Sequence, residues 1–130
     1  MTLRRFAIVY FLATGLGTAA WWVMLFAWPA SRAPFKLSAA PDESLLAFAI
    51  PDALLFIGTA LGIAVAIGRR ARWSRPLLYV HAGAAGYAGL YCLSLTIIST
   101  GEAWLAMLLM LPSLVVPGFV LWRTRMGWPS

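Results

Sequence analysis

The sequence predicts an all-α integral membrane protein in which four helices form one bundle and both termini face the cytoplasm. Hydrophobic residues make up 62% of the 130 residues and charged residues only 11%, more apolar surface than one soluble domain of this size could bury. Four apolar stretches reach the length of about 20 residues that crosses a bilayer. Basic residues gather in alternate connections, which indicates the orientation of the helices.

The predicted spans cover residues 6–28, 44–67, 76–100 and 103–122. The first and fourth contain no charged side chain, the second contains only Asp52, and in the third only His81 could be charged near neutral pH. With short connections and no soluble segment, residues 1–130 are predicted to form a single four-helix domain. A cleaved signal peptide is the alternative for the N-terminus, but the apolar run continues to Trp28, beyond the length of such a segment.

Arginines without an accompanying acid flank the spans on one side only. They lie at both termini and in the middle connection: Arg4, Arg5, Arg69, Arg70, Arg72, Arg75, Arg123 and Arg125. The two remaining connections carry a balanced or acidic set: Arg32, Lys36, Asp42, Glu43 and Glu102. The positive-inside rule therefore places both termini in the cytoplasm, with the protein in an inner or plasma membrane. The same rule accounts for the net charge of +6, so no nucleic-acid partner is predicted.

Asp52 is the main candidate functional residue, because an ionised carboxylate in the apolar layer costs about 2.5–3.5 kcal/mol and is usually retained for function. Counted from the inner end of its span, Asp52 lies about fifteen residues, or roughly 22 Å, into the membrane. Hydrogen-bond donors and apolar groups near that height complete a predicted ligand-binding set: Asp52, Trp21, Trp22, Tyr87, Tyr91, Met107 and Pro112. In the alternative reading, a helix beginning at Ile50 would make Asp52 an N-terminal residue near the headgroups. The sequence PDESLL offers an earlier helix start at Asp42, which favours the interior position.

His81 is the second candidate catalytic residue, with Asp52 the first. The two differ in height by roughly 13 Å, so no direct contact between them is expected. The alternative is a hydrogen bond from His81 to backbone or to Tyr10. The single cysteine, Cys92, excludes an internal disulfide and is predicted to be a packing residue. No metal-binding or catalytic motif occurs, so neither a metal nor a cofactor is predicted.

Glycines at helical spacing predict close helix contacts in the second and third spans. Membrane helices associate largely through small residues that let backbones approach. Such contacts could join helices of one chain or form a homodimer through Gly58 and Gly62, or through Gly83, Gly86 and Gly89.

Three features follow one another along the chain. They are Asp52 in the second span, the string RARWSRPLLYVH that ends at His81, and two prolines five residues apart in the fourth span, Pro112 and Pro117. This order resembles the EXPERA domain shared by the emopamil-binding sterol isomerase and the sigma-two receptor. The resemblance implies four membrane helices and a pocket open toward lipid, in which the acid of the second helix anchors a sterol or an amphipathic amine. Isomerase chemistry would need a further acid, which that family usually takes from its first helix or outer loop. The first span here has none.

Three functions are compatible with these residues. The leading hypothesis is a membrane protein that binds a lipid-like, sterol-like or hydrophobic cationic molecule at Asp52. The second is a small proton-coupled multidrug-type transporter that uses the same carboxylate. The third is a non-catalytic subunit or assembly partner that docks another membrane protein through its glycines.

Overall fold

The computed structural model describes residues 2–125, and throughout them the regular structure is helical. Four helices are long and apolar enough to cross a membrane: α1 (Leu3–Ala27), α2 (Asp42–Gly68), α3 (Ser74–Ile98) and α4 (Trp104–Arg123). Their ends differ from the predicted spans by at most three residues. Only 17% of the residues in the apolar part of α3 are buried inside the protein, which leaves most of its apolar surface available to lipid.

The ends of the helices follow local sequence signals. Thr2 precedes α1, and its side-chain oxygen accepts a hydrogen bond from the backbone N–H of Arg5. Helix α2 begins directly after Pro41, with Asp42 and Glu43 in its first turn. Acidic side chains stabilise a helix at this position because they interact favourably with the positive end of its dipole. Helix α4 continues from Trp104 to Arg123 across both of its prolines.

Helix α2 changes its hydrogen-bonding pattern along its length. Short α-helical turns over Asp42–Leu46 and Ala49–Pro51 lead into a π-helical segment, Asp52–Gly58, before a regular α-helix at Thr59–Gly68. Pro51 lacks the N–H that would continue the ladder of an α-helix, which accounts for the irregularity at this point. Wider π turns of this kind often occur at functional sites.

Each helix packs against the next one in sequence, and α2 lies between α1 and α3. At the end of the molecule that holds the N-terminus, buried side chains from all four helices form one apolar cluster: Ala7, Phe11, Ala60, Ile63, Ala64, Ile67, Leu78 and Val120. The guanidinium of Arg4 joins two helices here, because it donates to the backbone oxygens of Ile67 and Gly68.

At the opposite end, the connection between α1 and α2 folds over the helices. A 3-10 helix spans Pro29–Phe35, and Phe35 is buried with Trp22 and Leu25 in a second cluster. Two ion pairs and one hydrogen bond from a side chain to the backbone hold this connection in place. Arg32 Nη1 lies 2.8 Å from Asp42 Oδ2, and Arg32 Nε donates to the carbonyl of Leu25 at 2.8 Å. Lys36 Nζ lies 3.5 Å from the other oxygen of Asp42.

Candidate functional site

Asp52 lies inside a helix and not at its first turn. Its backbone N–H donates to the carbonyl of Phe48 at 2.9 Å, so the chain is already helical before it. Helix α2 starts at Asp42, and the ten residue steps from position 42 to position 52 correspond to about 15 Å of helix. The alternative in which Asp52 follows a helix start at Ile50 therefore does not describe this structure.

Trp22 is the residue of α1 that contacts this carboxylate. Its ring Nε1–H donates to Asp52 Oδ2 at 3.1 Å, and its side chain is only 5% exposed. Among residues 2–125 this is the only side-chain hydrogen bond of Asp52, and within them no Lys, Arg or His nitrogen lies within 4.0 Å of its oxygens. One carboxylate oxygen is thus fixed by the indole, while Oδ1 has no donor from the described part of the chain.

An apolar groove of about 630 Å³ runs along Trp22, between α1 and α2, and it is open on its outer side; Asp52 itself is not part of its wall. Trp22 belongs both to the groove wall and to the hydrogen bond with Asp52. The wall is formed by apolar side chains of the two helices: Ala19, Trp22, Val23, Phe26, Ala27, Ala49, Ala53 and Ile57. Because four of these are alanines, the two helices leave space between them that larger side chains would fill.

Of the other predicted ligand-binding residues, Trp21 packs directly against Trp22. Its ring meets Trp22 and Phe35 edge-on, with centroids 4.9 and 5.1 Å away, and its Nε1 is buried without a hydrogen-bond partner. Phe35 therefore covers the tryptophan pair from the side of the α1–α2 connection. This contact could not be predicted from the sequence, because an isolated Phe in a connection carries no distinctive signal.

Of the seven predicted binding residues only Trp22 lines the groove. Asp52 adjoins it through its hydrogen bond with Trp22, and Trp21 through its ring contact with Trp22. The remaining four have neither link. Tyr87 is 72% exposed on α3, and Pro112 is exposed on α4. The ring of Tyr91 lies 5.4 Å from that of Phe48, while Met107 is half-buried. None of the four forms a hydrogen bond with Asp52. These four residues therefore add no hydrogen-bond donor to the carboxylate in this structure.

His81 occupies a separate, fully buried position. Its Nδ1 lies 2.8 Å from Thr59 Oγ1, and its ring packs between Phe11 and Phe56 at 5.3 and 4.8 Å. Thr59 Oγ1 also lies 2.6 Å from the carbonyl oxygen of Leu55. Since a hydroxyl has one proton to donate, donation to Leu55 makes it the acceptor of a proton on Nδ1 and leaves Nε2 as an acceptor.

As expected, His81 does not contact Asp52, but it is not bonded to Tyr10 either. No hydrogen bond links it to Asp52 or to Tyr10, and both its Nε2 and the Tyr10 hydroxyl are buried without a partner among the described residues. Its actual partner, Thr59, was missed in the sequence. A threonine in an apolar helix ordinarily bonds its own preceding turn, as Thr59 does here, so its position alone does not point to a histidine.

Within residues 2–125 no three His, Cys, Asp or Glu side chains are grouped as metal ligands would be, and Cys92 is a free, half-buried thiol. A Cβ on Gly62 would lie 3.0 Å from Leu77, and one on Gly89 would lie 2.5 Å from Leu114, so these two glycines serve contacts within the chain. Around Gly83 and Gly86 a Cβ would meet no atom within 4 Å, while Gly58 meets only its own helix.

Comparison of the chain with protein-family models, with curated proteins and with solved structures finds no match.

Proposed function

We propose that this protein binds a lipid-like or hydrophobic cationic molecule within the membrane, with Asp52 as its anchor. The observation that carries this proposal is the carboxylate itself. It lies within an apolar helix, its Oδ2 accepts a hydrogen bond from Trp22 while Oδ1 has no donor among residues 2–125, and Trp22 links it to an open apolar groove. A positively charged head on Oδ1 and an apolar body in the groove would satisfy both features.

The groove favours a ligand that enters from the lipid. It opens sideways between α1 and α2, whereas Phe35 and the 3-10 helix cover the neighbouring tryptophans from the end of the molecule. An amphipathic amine or a sterol-like molecule partitions into the bilayer before it meets the protein. This ligand class agrees with the one that the resemblance to the EXPERA domain implies. Catalysis at Asp52 has less support, because no hydrogen bond joins it to another ionisable group within residues 2–125.

In the proposed orientation both termini and the connection between α2 and α3 face the cytoplasm of an inner or plasma membrane. The charges support this choice: eight arginines and no acid lie at that end, while two basic and three acidic residues lie at the other. Arg4 is bonded to the last carbonyls of α2, so the N-terminus and the middle connection belong to the same end.

Binding of a defined probe tests the role of the carboxylate. We expect radiolabelled N,N-dimethyldodecylamine, a lipophilic amine that is protonated at neutral pH, to bind saturably to the protein in nanodiscs above the level of protein-free nanodiscs. Asp52→Asn should weaken this binding about ten-fold or more, since a charge-assisted contact contributes about 1.5–3 kcal/mol. Glu43→Gln is the control, because Glu43 is an exposed acid outside the groove. Unchanged affinity of Asp52→Asn would remove the carboxylate from the site.

A neighbouring pair of alanines tests the groove separately. Ala19 lines the groove, whereas the adjacent Ala20 is exposed and lies outside its wall. We expect Ala19→Leu to reduce amine binding by filling the groove and Ala20→Leu to leave it unchanged. If both variants bind as well as the wild type while Asp52→Asn does not, the ligand body lies elsewhere than between α1 and α2.

A further inference from the structure

The end of the molecule that carries the termini has a strong charge of one sign that ligand binding at Asp52 does not use. Seven arginines there are exposed: Arg5, Arg69, Arg70, Arg72, Arg75, Arg123 and Arg125. Among the described residues none of them forms an ion pair, because both ion pairs, at Asp42, lie at the opposite end. Three of the seven, Arg69, Arg70 and Arg72, lie in the short turn between α2 and α3, and Arg75 lies in the first turn of α3.

The backbone of this turn holds one arginine in an unfavourable conformation. Arg70 has a φ of +54°, the left-handed region in which side chains other than glycine are strained. The hydrogen bond from the N–H of Ala71 to the carbonyl of Ala66, 2.8 Å long, makes this a helix-ending motif in which glycine is the usual residue at position 70. The chain has arginine where glycine would be more stable locally, and such outliers point to a function for the side chain.

Aromatic side chains set the depth of this turn. Trp73 and Trp122 are 45% and 56% exposed at the same end, and tryptophans of this kind favour the headgroup level of a bilayer. The guanidinium of Arg123 lies 5.9 Å from the centre of the Trp122 ring. In a bilayer these rings would place the exposed arginines near the lipid phosphates, to which a planar guanidinium can donate two hydrogen bonds at once.

We infer that the arginine turn, residues 69–75, is a binding surface for the headgroups of anionic phospholipids. Charge complementarity selects such lipids over zwitterionic ones, because the turn contains four cations and no acid to balance them. Arg70 contributes a headgroup contact at the expense of local backbone stability. This surface is separate from the Asp52 site, because the regular helical segment Thr59–Gly68 lies between Asp52 and the turn.

A matched pair of glycine substitutions tests the inference. Thr100, at the end of α3, has a φ of +56° and the same type of helix-ending bond, from Gly101 N–H to Thr96 carbonyl at 2.8 Å. Arg70→Gly and Thr100→Gly thus relieve the same strain at opposite ends of the molecule. We expect both to unfold at the same or a higher temperature than the wild type. Only Arg70→Gly should bind phosphatidylglycerol more weakly, by roughly two- to five-fold, because one basic residue is lost from the surface.

Retention of lipid is measured by native mass spectrometry of the protein titrated with phosphatidylglycerol or, in parallel, phosphatidylcholine. Arg70→Lys separates charge from geometry: a partial loss indicates that the guanidinium fork contributes beyond its charge. The lipid preference decides the inference whatever the unfolding temperatures are. Equal retention of the two lipids by the wild type, unchanged phosphatidylglycerol binding by Arg70→Gly, or an equal loss in Thr100→Gly would each overturn it.

Discussion

The contact between Trp22 and Asp52 can be measured by a double-mutant cycle that uses Trp22→Phe, Asp52→Ala and the double variant. Trp22→Phe keeps an aromatic ring in the groove wall but removes the Nε1–H that donates to Asp52 Oδ2 at 3.1 Å. Asp52→Ala removes the acceptor. Since each single variant removes the hydrogen bond, the cycle isolates its energy from the loss of packing.

We expect a coupling energy of about 1.5 kcal/mol. Hydrogen bonds to charged groups contribute about 1.5–3 kcal/mol in proteins, whereas side-chain hydrogen bonds between membrane helices average about 0.6 kcal/mol. The Asp52 carboxylate is half-buried and its donor, the Trp22 indole, is only 5% exposed. We therefore expect a coupling energy at the lower limit for hydrogen bonds to charged groups, which is still above the average between membrane helices.

Equilibrium unfolding in mixed detergent micelles, followed by circular dichroism, gives the four free energies of unfolding. Phe11→Leu combined with Asp52→Ala serves as a control cycle, because Phe11 is buried in the other apolar cluster and should show no coupling to position 52. A coupling energy below about 0.3 kcal/mol between positions 22 and 52 would refute the contact and, with it, the fixed orientation of the proposed anchor.

Two further pairs of variants test the packing around the site. Gly89→Ala should lower the free energy of unfolding by about 1–3 kcal/mol, because its Cβ would lie 2.5 Å from a leucine of α4, whereas Gly86→Ala, with no atom within 4 Å, should raise it by about 0.5–1 kcal/mol. If detergent unfolding showed that both variants change the free energy of unfolding in the same direction, the observed α3–α4 contact would be contradicted. Thr59→Val should destabilise by about 1–3 kcal/mol because it leaves the buried Nδ1 of His81 without its partner. Thr96→Val, whose hydroxyl bonds only to its own helix, should cost less in the same assay; an equal cost would argue against the Thr59–His81 hydrogen bond.

How far the sequence could predict the candidate site differs from residue to residue. Asp52 and Trp22 were both expected near one height in the membrane, and the structure joins them through a hydrogen bond. Tyr87 and Tyr91 were expected there for the same reason, yet 72% and 43% of their side chains are exposed. Height follows from the count of residues along a helix, but contact depends on the rotation of each helix about its axis. Hydropathy carries little information on that rotation when nearly every face is apolar.

The four apolar helices and the concentration of arginines at one end were determined by the sequence alone, because the length of an apolar run and the sign of a charge are local properties. The tertiary structure decided that Thr59 faces His81, that Trp22 faces Asp52, and that four alanines leave a groove between α1 and α2. These contacts join residues 22 to 30 positions apart in the chain, so they depend on how the helices pack and not on any single stretch of sequence.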